Sequence, residues 1–164
     1  MHYAEREHNR RSQQSKSKKT KIMYIKLIQP KMHRRPMDTD IKSRMSPPLG
    51  LYTIASMFRS EHHISVENEN IQDIAFNDSP DIVGISVNVD SLPRAIAIAA
   101  EFRRQGIPVV AGGILITTAK NFIPDDAFDV LCIGAAEGTW PHIIHDLENN
   151  CLRKEYRCRH DFAG

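Results

Sequence analysis

Ile107-Pro-Val-Val-Ala-Gly-Gly-Ile114 is a short apolar run that ends in a pair of glycines. A run of this length reads as a buried strand. The glycines mark a carboxyl end where another group can approach bare backbone. The pattern recurs twice. Ile82-Val-Gly-Ile-Ser-Val87 ends near a serine, and Val130-Leu-Cys-Ile-Gly-Ala135 ends near another glycine. Nearly continuous apolar runs are what parallel strands need when both faces of a sheet are covered.

Working outward, the segments between these runs have helical periodicity. A helix capped by Asp90 or Ser91 runs to about Gln105, with Ala95, Ile98, Ala99 and Phe102 inward, and Gly106 stops it. Thr117 or Thr118 caps a short helix through Phe122, ended by Pro124. Residues 128–133 form a further strand, and residues 136–149 a last helix with Trp140, Ile143, Ile144 and Leu147 on its inner face. Residues 152–157 are either an edge strand or an exit tail. Upstream, residues 21–29 form the first strand and residues 64–66 the second. Pro47-Pro48 opens a helix that turns Leu51, Ile54, Ala55 and Phe58 to one side. Residues 71–76 read as a weak helical turn, and residues 80–87 as the third strand. The order predicts an α/β fold, an open doubly wound, five-stranded and mainly parallel sheet with helices on both faces. Ligands of such sheets bind outside the carboxyl ends of the strands, near the point where strand order reverses. Ser86, Gly112, Gly113 and Gly134 all stand at carboxyl ends.

A chain of 164 residues fits one domain, and 41% hydrophobic with 26% charged residues fits a globular one. The net charge of +2 is uneven. Residues 1–21 hold seven Lys and Arg against Glu5 and Glu7, which leaves fifteen basic against eighteen acidic residues in the remainder. The body therefore has no basic surplus, and no nucleic-acid partner is expected. Residues 1–20 are expected to be a disordered basic tail, residues 21–157 the folded domain, and residues 158–164 a second tail. No stretch is long and apolar enough for a membrane span, and no apolar segment of a secretory signal precedes the first strand. Three widely spaced cysteines, Cys132, Cys151 and Cys158, point to a reducing cytoplasm rather than a disulfide framework.

Neither a P-loop nor a Gly-x-Gly-x-x-Gly fingerprint is present, which removes the commonest ligands of this architecture. Gly112-Gly113 either admits a ligand or makes a tight turn with positive φ. Ser86, Asn88 and Asp90 either meet a ligand or cap the next helix. Glu137 and Thr139 stand in a first helical turn, where capping competes with lining a groove. His33 lies in a long polar connection, residues 30–46, with several basic neighbours. His142 and His145 have a spacing that suits a metal, but no cluster completes it. Cys132 reads as a buried, inert thiol. No nucleophile–base pair stands out. The residues favour binding over chemistry.

Four motifs, in order, resemble the N-terminal cobalamin-binding domain of B12-dependent radical SAM enzymes. They are Pro47-Pro-Leu-Gly-Leu-Tyr-Thr-Ile-Ala-Ser56, Asp81-Ile-Val-Gly-Ile-Ser-Val87, Phe102-Arg-Arg-Gln-Gly-Ile-Pro-Val-Val-Ala-Gly-Gly-Ile114 and Asp129-Val-Leu-Cys-Ile-Gly-Ala-Ala-Glu-Gly-Thr-Trp-Pro141. The resemblance implies a Rossmann-like domain that holds cobalamin over the carboxyl ends of its strands. It assigns the cofactor to Ser86, Val87, Asn88, Gly112, Gly113, Ile114, Gly134, Ala135, Glu137 and Thr139. In related domains the nucleotide tail passes a Ser-x-Leu strand end and a Gly-Gly pair. Ser86-Val87-Asn88 and Gly112-Gly113 take those places, and Leu115 stands where many relatives carry a histidine. Pro30-Lys-Met-His-Arg-Arg35 lacks the Asp-x-His-x-x-Gly that supplies a histidine to cobalt, so a base-off, His-off cofactor is expected. The cysteines do not follow Cys-x-x-x-Cys-x-x-Cys. The resemblance thus implies no iron–sulfur cluster here, and a radical SAM catalytic domain or subunit acting in trans, in methyl transfer. The alternative is a cobalamin-free remnant of the same fold, serving interaction or sensing.

Overall fold

The computed structural model describes residues 21–33 and 47–158. The expected tails, apart from Cys158, and most of the connection after the first strand lie outside the described residues. The elements are β1 (Tyr24–Gln29), α1 (Leu49–Phe58), β2 (His63–Asn68), β3 (Ile82–Ser86), α2 (Leu92–Arg104), β4 (Val109–Gly112), α3 (Ile114–Ala119), β5 (Val130–Ile133), α4 (Ala136–Glu148) and β6 (Glu155–Arg157). The strands form a single sheet in the order β2-β1-β3-β4-β5-β6, and every pairing is parallel. The chain steps from β1 outward to β2, then returns to place β3 on the other side of β1. The order therefore reverses between β1 and β3.

Period-two alternation sends each strand's side chains into two cores. Ile28, Val83, Ile85, Val109 and Ala111 meet Ala95, Ile98 and Phe102 of α2 on one face. Ile25, Leu27, Ile82, Val110 and Cys132 meet Leu51 and Ile54 of α1, and Trp140 and Ile143 of α4, on the other.

Four expectations are corrected or refined. The sheet has six strands, because residues 155–157 add a parallel edge with Cys132 opposite Tyr156. Three residues with one apolar side chain give no readable period, and it is Tyr156, buried with its hydroxyl on Asp146 at 2.8 Å, that anchors them. α3 starts at Ile114, directly after Gly113, so neither Thr117 nor Thr118 caps it. Their hydroxyls instead meet the Gly134 N–H and the Ile114 carbonyl. Ser91 does take the N-cap position of α2, but without a side-chain cap bond there; ahead of the 3-10 turn Val89–Ser91, the side-chain cap falls on Asn88. Its side chain accepts from the Ser91 N–H at 2.9 Å while its own N–H donates to Ser91 Oγ at 3.1 Å, a reciprocal capping box over a 3-10 turn.

The fourth concerns residues 71–76, which form no helix. The return from β2 to β3 is instead pinned by a buried lysine. Lys26, in mid β1, is 0% exposed. Its ammonium meets Glu67 at 2.9 Å and Asp78 at 2.7 Å, and donates to the Ala75 carbonyl. The Tyr24 hydroxyl donates to Asp78 at 2.6 Å. A helix's worth of internal hydrogen bonds is thus exchanged for a charged staple under an extended segment.

Burial pushes the carboxyls of Asp78, Asp81 and Glu69 up, but donors outweigh it. Those donors are Lys26 and Tyr24 for Asp78, the Tyr24 N–H and Lys21 for Asp81, and Arg94 and the Lys31 N–H for Glu69, and all three carboxyls sit below the ordinary range. Hydrogen bonds from Tyr156, His145 and Arg153 hold Asp146 at about 2. A carboxylate depressed in the fold stabilises it above the unfolded value and loses that contribution as pH falls through the folded one. Thermal midpoints should therefore stay level from about pH 7 to 5 and fall steeply between about pH 4 and 2. A level profile down to pH 2 would contradict these hydrogen bonds.

Candidate functional site

A cavity of about 180 Å³ opens at the carboxyl ends of β3, β4 and β5, on the α1/α4 face of the sheet. Gly84, Ser86, Gly112, Cys132 and Gly134 form the sheet side, Leu51 and Ile54 of α1 one wall, and Glu137 and Trp140 of α4 the other. It exists because three adjacent strands carry small residues on one face while α1 and α4 present large ones.

The glycines have different reasons to be there. A Cβ on Gly84 would come within 2.6 Å of Trp140 Cζ2, so this glycine seats the indole ring against the strand. Gly113 has φ +107°, and its Cβ would strike the Val87 carbonyl oxygen at 2.7 Å. Gly134 has φ +90°, and its Cβ would lie 3.0 Å from the Cys158 carbonyl oxygen. At Gly112 a Cβ would reach only ordinary contact, 3.5 Å from Cys132 Cβ. Gly112 is the glycine whose missing side chain leaves room; Gly113 is required by the chain's own turn.

Of the residues singled out in the sequence, Ser86, Gly112, Gly113, Gly134 and Glu137 come together at the cavity. The Ser86 hydroxyl is half-buried and has no hydrogen-bond partner among the described residues. Val87 is buried in the opposite core, Asn88 is spent on its capping box, and Thr139 is buried against Cys132, with its hydroxyl 2.8 Å from Cys132 Sγ. Ala135 is the cap position of α4. Ile114 is 64% exposed, as are Leu49 and Val89 to a similar degree. Each flanks a carboxyl-end turn or the start of α1, so together they leave apolar surface near the cavity. Leu115 belongs to the opposite core and does not line the cavity. Burial pushes the Cys132 thiol up, against the hydrogen bond it shares with Thr139, and so keeps it protonated near neutrality.

Sequence reasoning missed the cavity's other walls. Leu51, Ile54 and Trp140 read as helix inner faces, which they are, but the same side chains border the void. The available signal was Gly84, a glycine inside a strand, which often marks a close approach. The His33 side chain is exposed, and its backbone N–H donates to the Asp90 carbonyl at 3.0 Å, beside the turn after β3. His142 and His145 are exposed on α4, and no group of three or more metal-ligating side chains occurs among the described residues. Nor does any helix among them have the length and apolarity to cross a membrane.

The family model described as the B12 binding domain matches residues 44–144, from before α1 into α4, and so takes in every strand end around the cavity. This chain is a B12-binding domain. It is 32% identical to a bacteriochlorophyllide d C-8(2)-methyltransferase of Chlorobaculum tepidum over 124 residues, 73% of this chain and 27% of that protein. It is 29% identical to an uncharacterized methyltransferase of Pyrococcus horikoshii over 142 residues, 77% of this chain and 30% of that protein. The B12-binding domain thus spans less than a third of either relative.

The cavity fits one part of such a cofactor. Sites that enclose a whole drug-sized ligand run to about 300–1,000 Å³, so about 180 Å³ cannot enclose a corrin macrocycle. It suits a narrow, flat end group between apolar helix walls, with the macrocycle outside, over the strand ends.

Proposed function

We propose that this B12-binding domain holds cobalamin with the corrin ring across the carboxyl edge of the sheet and the nucleotide tail in the cavity between α1 and α4. The observation that carries the reading is the void left by Gly112 between Leu51, Ile54 and Trp140, at the strand ends that the family match covers. In this reading Ser86 offers its free hydroxyl to the tail where it enters. Gly112 admits the base. The backbone at Gly113, Ile114, Gly134 and Ala135 shapes the mouth, and Glu137 borders it from the first turn of α4. Val87, Asn88 and Thr139 act from behind, by fixing the strand-end turns through packing, capping and the bond to Cys132.

The tail is extended away from cobalt, base-off, and no histidine takes its place. The exposed position of His33, and the lack of the Asp-x-His-x-x-Gly pattern around it, support that assignment. A bound corrinoid supplies a cobalt centre that can carry a methyl group. The two methyltransferase relatives support a role in methyl transfer. The partner that brings an iron–sulfur cluster is a radical SAM catalytic domain or subunit, a reading supported by the resemblance of the four motifs to the cobalamin-binding domains of such enzymes. In this reading the residues around the cavity bind and orient the cofactor.

Purified protein mixed with hydroxocobalamin and passed over a gel-filtration column should carry the corrinoid with it at micromolar concentration, with a base-off visible spectrum. Corrinoid that elutes wholly apart from the protein would overturn the proposal and leave the interaction or sensor reading. A base-on spectrum would overturn the tail assignment alone.

A further inference from the structure

We infer that Trp140 is the hydrogen-bond donor through which the cavity selects its occupant, a flat aromatic heterocycle with an acceptor nitrogen on its free edge. The inference rests on the reading of the cavity as a tail site and adds a preference among tails.

Trp140 is 3% exposed and lines the cavity. No residue among those described accepts a hydrogen bond from its indole N–H. The indole nitrogen is not among the enclosed side-chain atoms left unpaired, so it keeps solvent contact, and a ring that lines the cavity can offer that donor to an occupant. Gly84 explains how the ring is held. Indole Cζ2 and Cη2 lie only 2.6 and 2.8 Å from where the Cβ of any other residue would stand, so that edge abuts bare backbone of β3. The N–H is two bonds from Cζ2 along the ring. A group that enters beside Gly84 therefore comes within reach of it.

The other polar groups of the cavity are placed differently. Cys132 Sγ is engaged with Thr139. Ser86 ends β3, whereas Gly84 lies one pleat deeper in the same strand. Glu137 borders the cavity from the first turn of α4, so the part beside Gly84 offers apolar walls and one side-chain N–H donor. Its chemical complement is a planar ring that stacks on apolar surface and ends in an in-plane lone pair. A benzimidazole detached from cobalt has such a nitrogen. A cresol ring linked through its oxygen has only carbon on its free edge.

Trp140 is the sole tryptophan of the chain, so a ¹⁵N-labelled sample has a single indole cross-peak. Cobalamin should move that peak downfield, and cobinamide, which lacks the nucleotide tail, should leave it in place. Trp140→Phe, which keeps a flat ring without the N–H, should weaken cobalamin binding about tenfold and leave binding of a cresolyl cobamide within about twofold. If cobalamin co-elutes with the protein while the indole peak stays put, the inference fails and the binding proposal stands. The same holds if Trp140→Phe binds both corrinoids as the parent does. If no corrinoid binds the unaltered protein, both fail. The cross-peak is read on the unaltered chain, so the test does not depend on the variant folding.

Discussion

Lys26→Met should destabilise the domain by about 3–5 kcal/mol, the cost of removing one partner from a buried ion-paired network. Lys26 is fully buried, and its ammonium serves Glu67, Asp78 and the Ala75 carbonyl together. Methionine matches the length of the stem but leaves two carboxylates and a carbonyl facing each other without a cation. The Glu67 and Asp78 side chains are only 12% and 26% exposed, so water screens them poorly. A domain of this size is stable by about 5–15 kcal/mol, so the variant should fall near the folding threshold. Urea denaturation of the two proteins measures the difference. Combining Lys26→Met with Glu67→Gln and Asp78→Asn should recover part of the loss, because the surviving groups are then neutral. A loss under about 1 kcal/mol would instead mean that the lysine behaves as an exposed surface pair.

That staple was illegible in the sequence for a physical reason. A lysine inside an alternating strand reads as solvent-facing, and only the tertiary return of residues 75 and 78 over β1 makes burial affordable. The same return explains why residues 71–76 are not helical. By contrast, the strands that end at Ser86, Gly112 and Ile133 were legible, because burial on both faces forces continuous apolar runs. The inner faces of α1, α2 and α4 were legible because one-sided packing imposes the helical period. β6 was not, since Tyr156 alone has no period, and α3 was misplaced because its start is set by the positive φ of Gly113 rather than by a capping side chain. At the site, the sequence located small residues at strand ends. It did not distinguish a glycine that leaves space from one that the backbone demands, because the difference lies in what stands opposite each Cα: Cys132 in one case, the Val87 carbonyl in the other.

The glycine pair should therefore split when each member is replaced by alanine. Gly113→Ala forces a side chain onto φ +107° and drives its Cβ to 2.7 Å from the Val87 carbonyl oxygen. Strain of this kind costs about 1–3 kcal/mol at a single residue, and the clash adds to it, because the Val87 backbone is held by β4 through Val87 N–H to Gly112 O at 2.7 Å. Any loss of corrinoid binding in that variant would be confounded with loss of the turn. Gly112→Ala adds its methyl in ordinary contact with Cys132 and at no positive φ. Stability should stay within about 1 kcal/mol of the parent, since replacing glycine where alanine fits also lowers the entropy of the unfolded chain. The methyl nonetheless occupies the void beside Cys132, in a cavity of only about 180 Å³. Cobalamin affinity should fall at least tenfold, while cobinamide, with no tail to insert, should bind as it does to the parent. Equilibrium dialysis of both corrinoids against Gly112→Ala, with melting curves on the same samples, separates the effects. A tail bound elsewhere would leave cobalamin affinity unchanged in a fully folded Gly112→Ala protein.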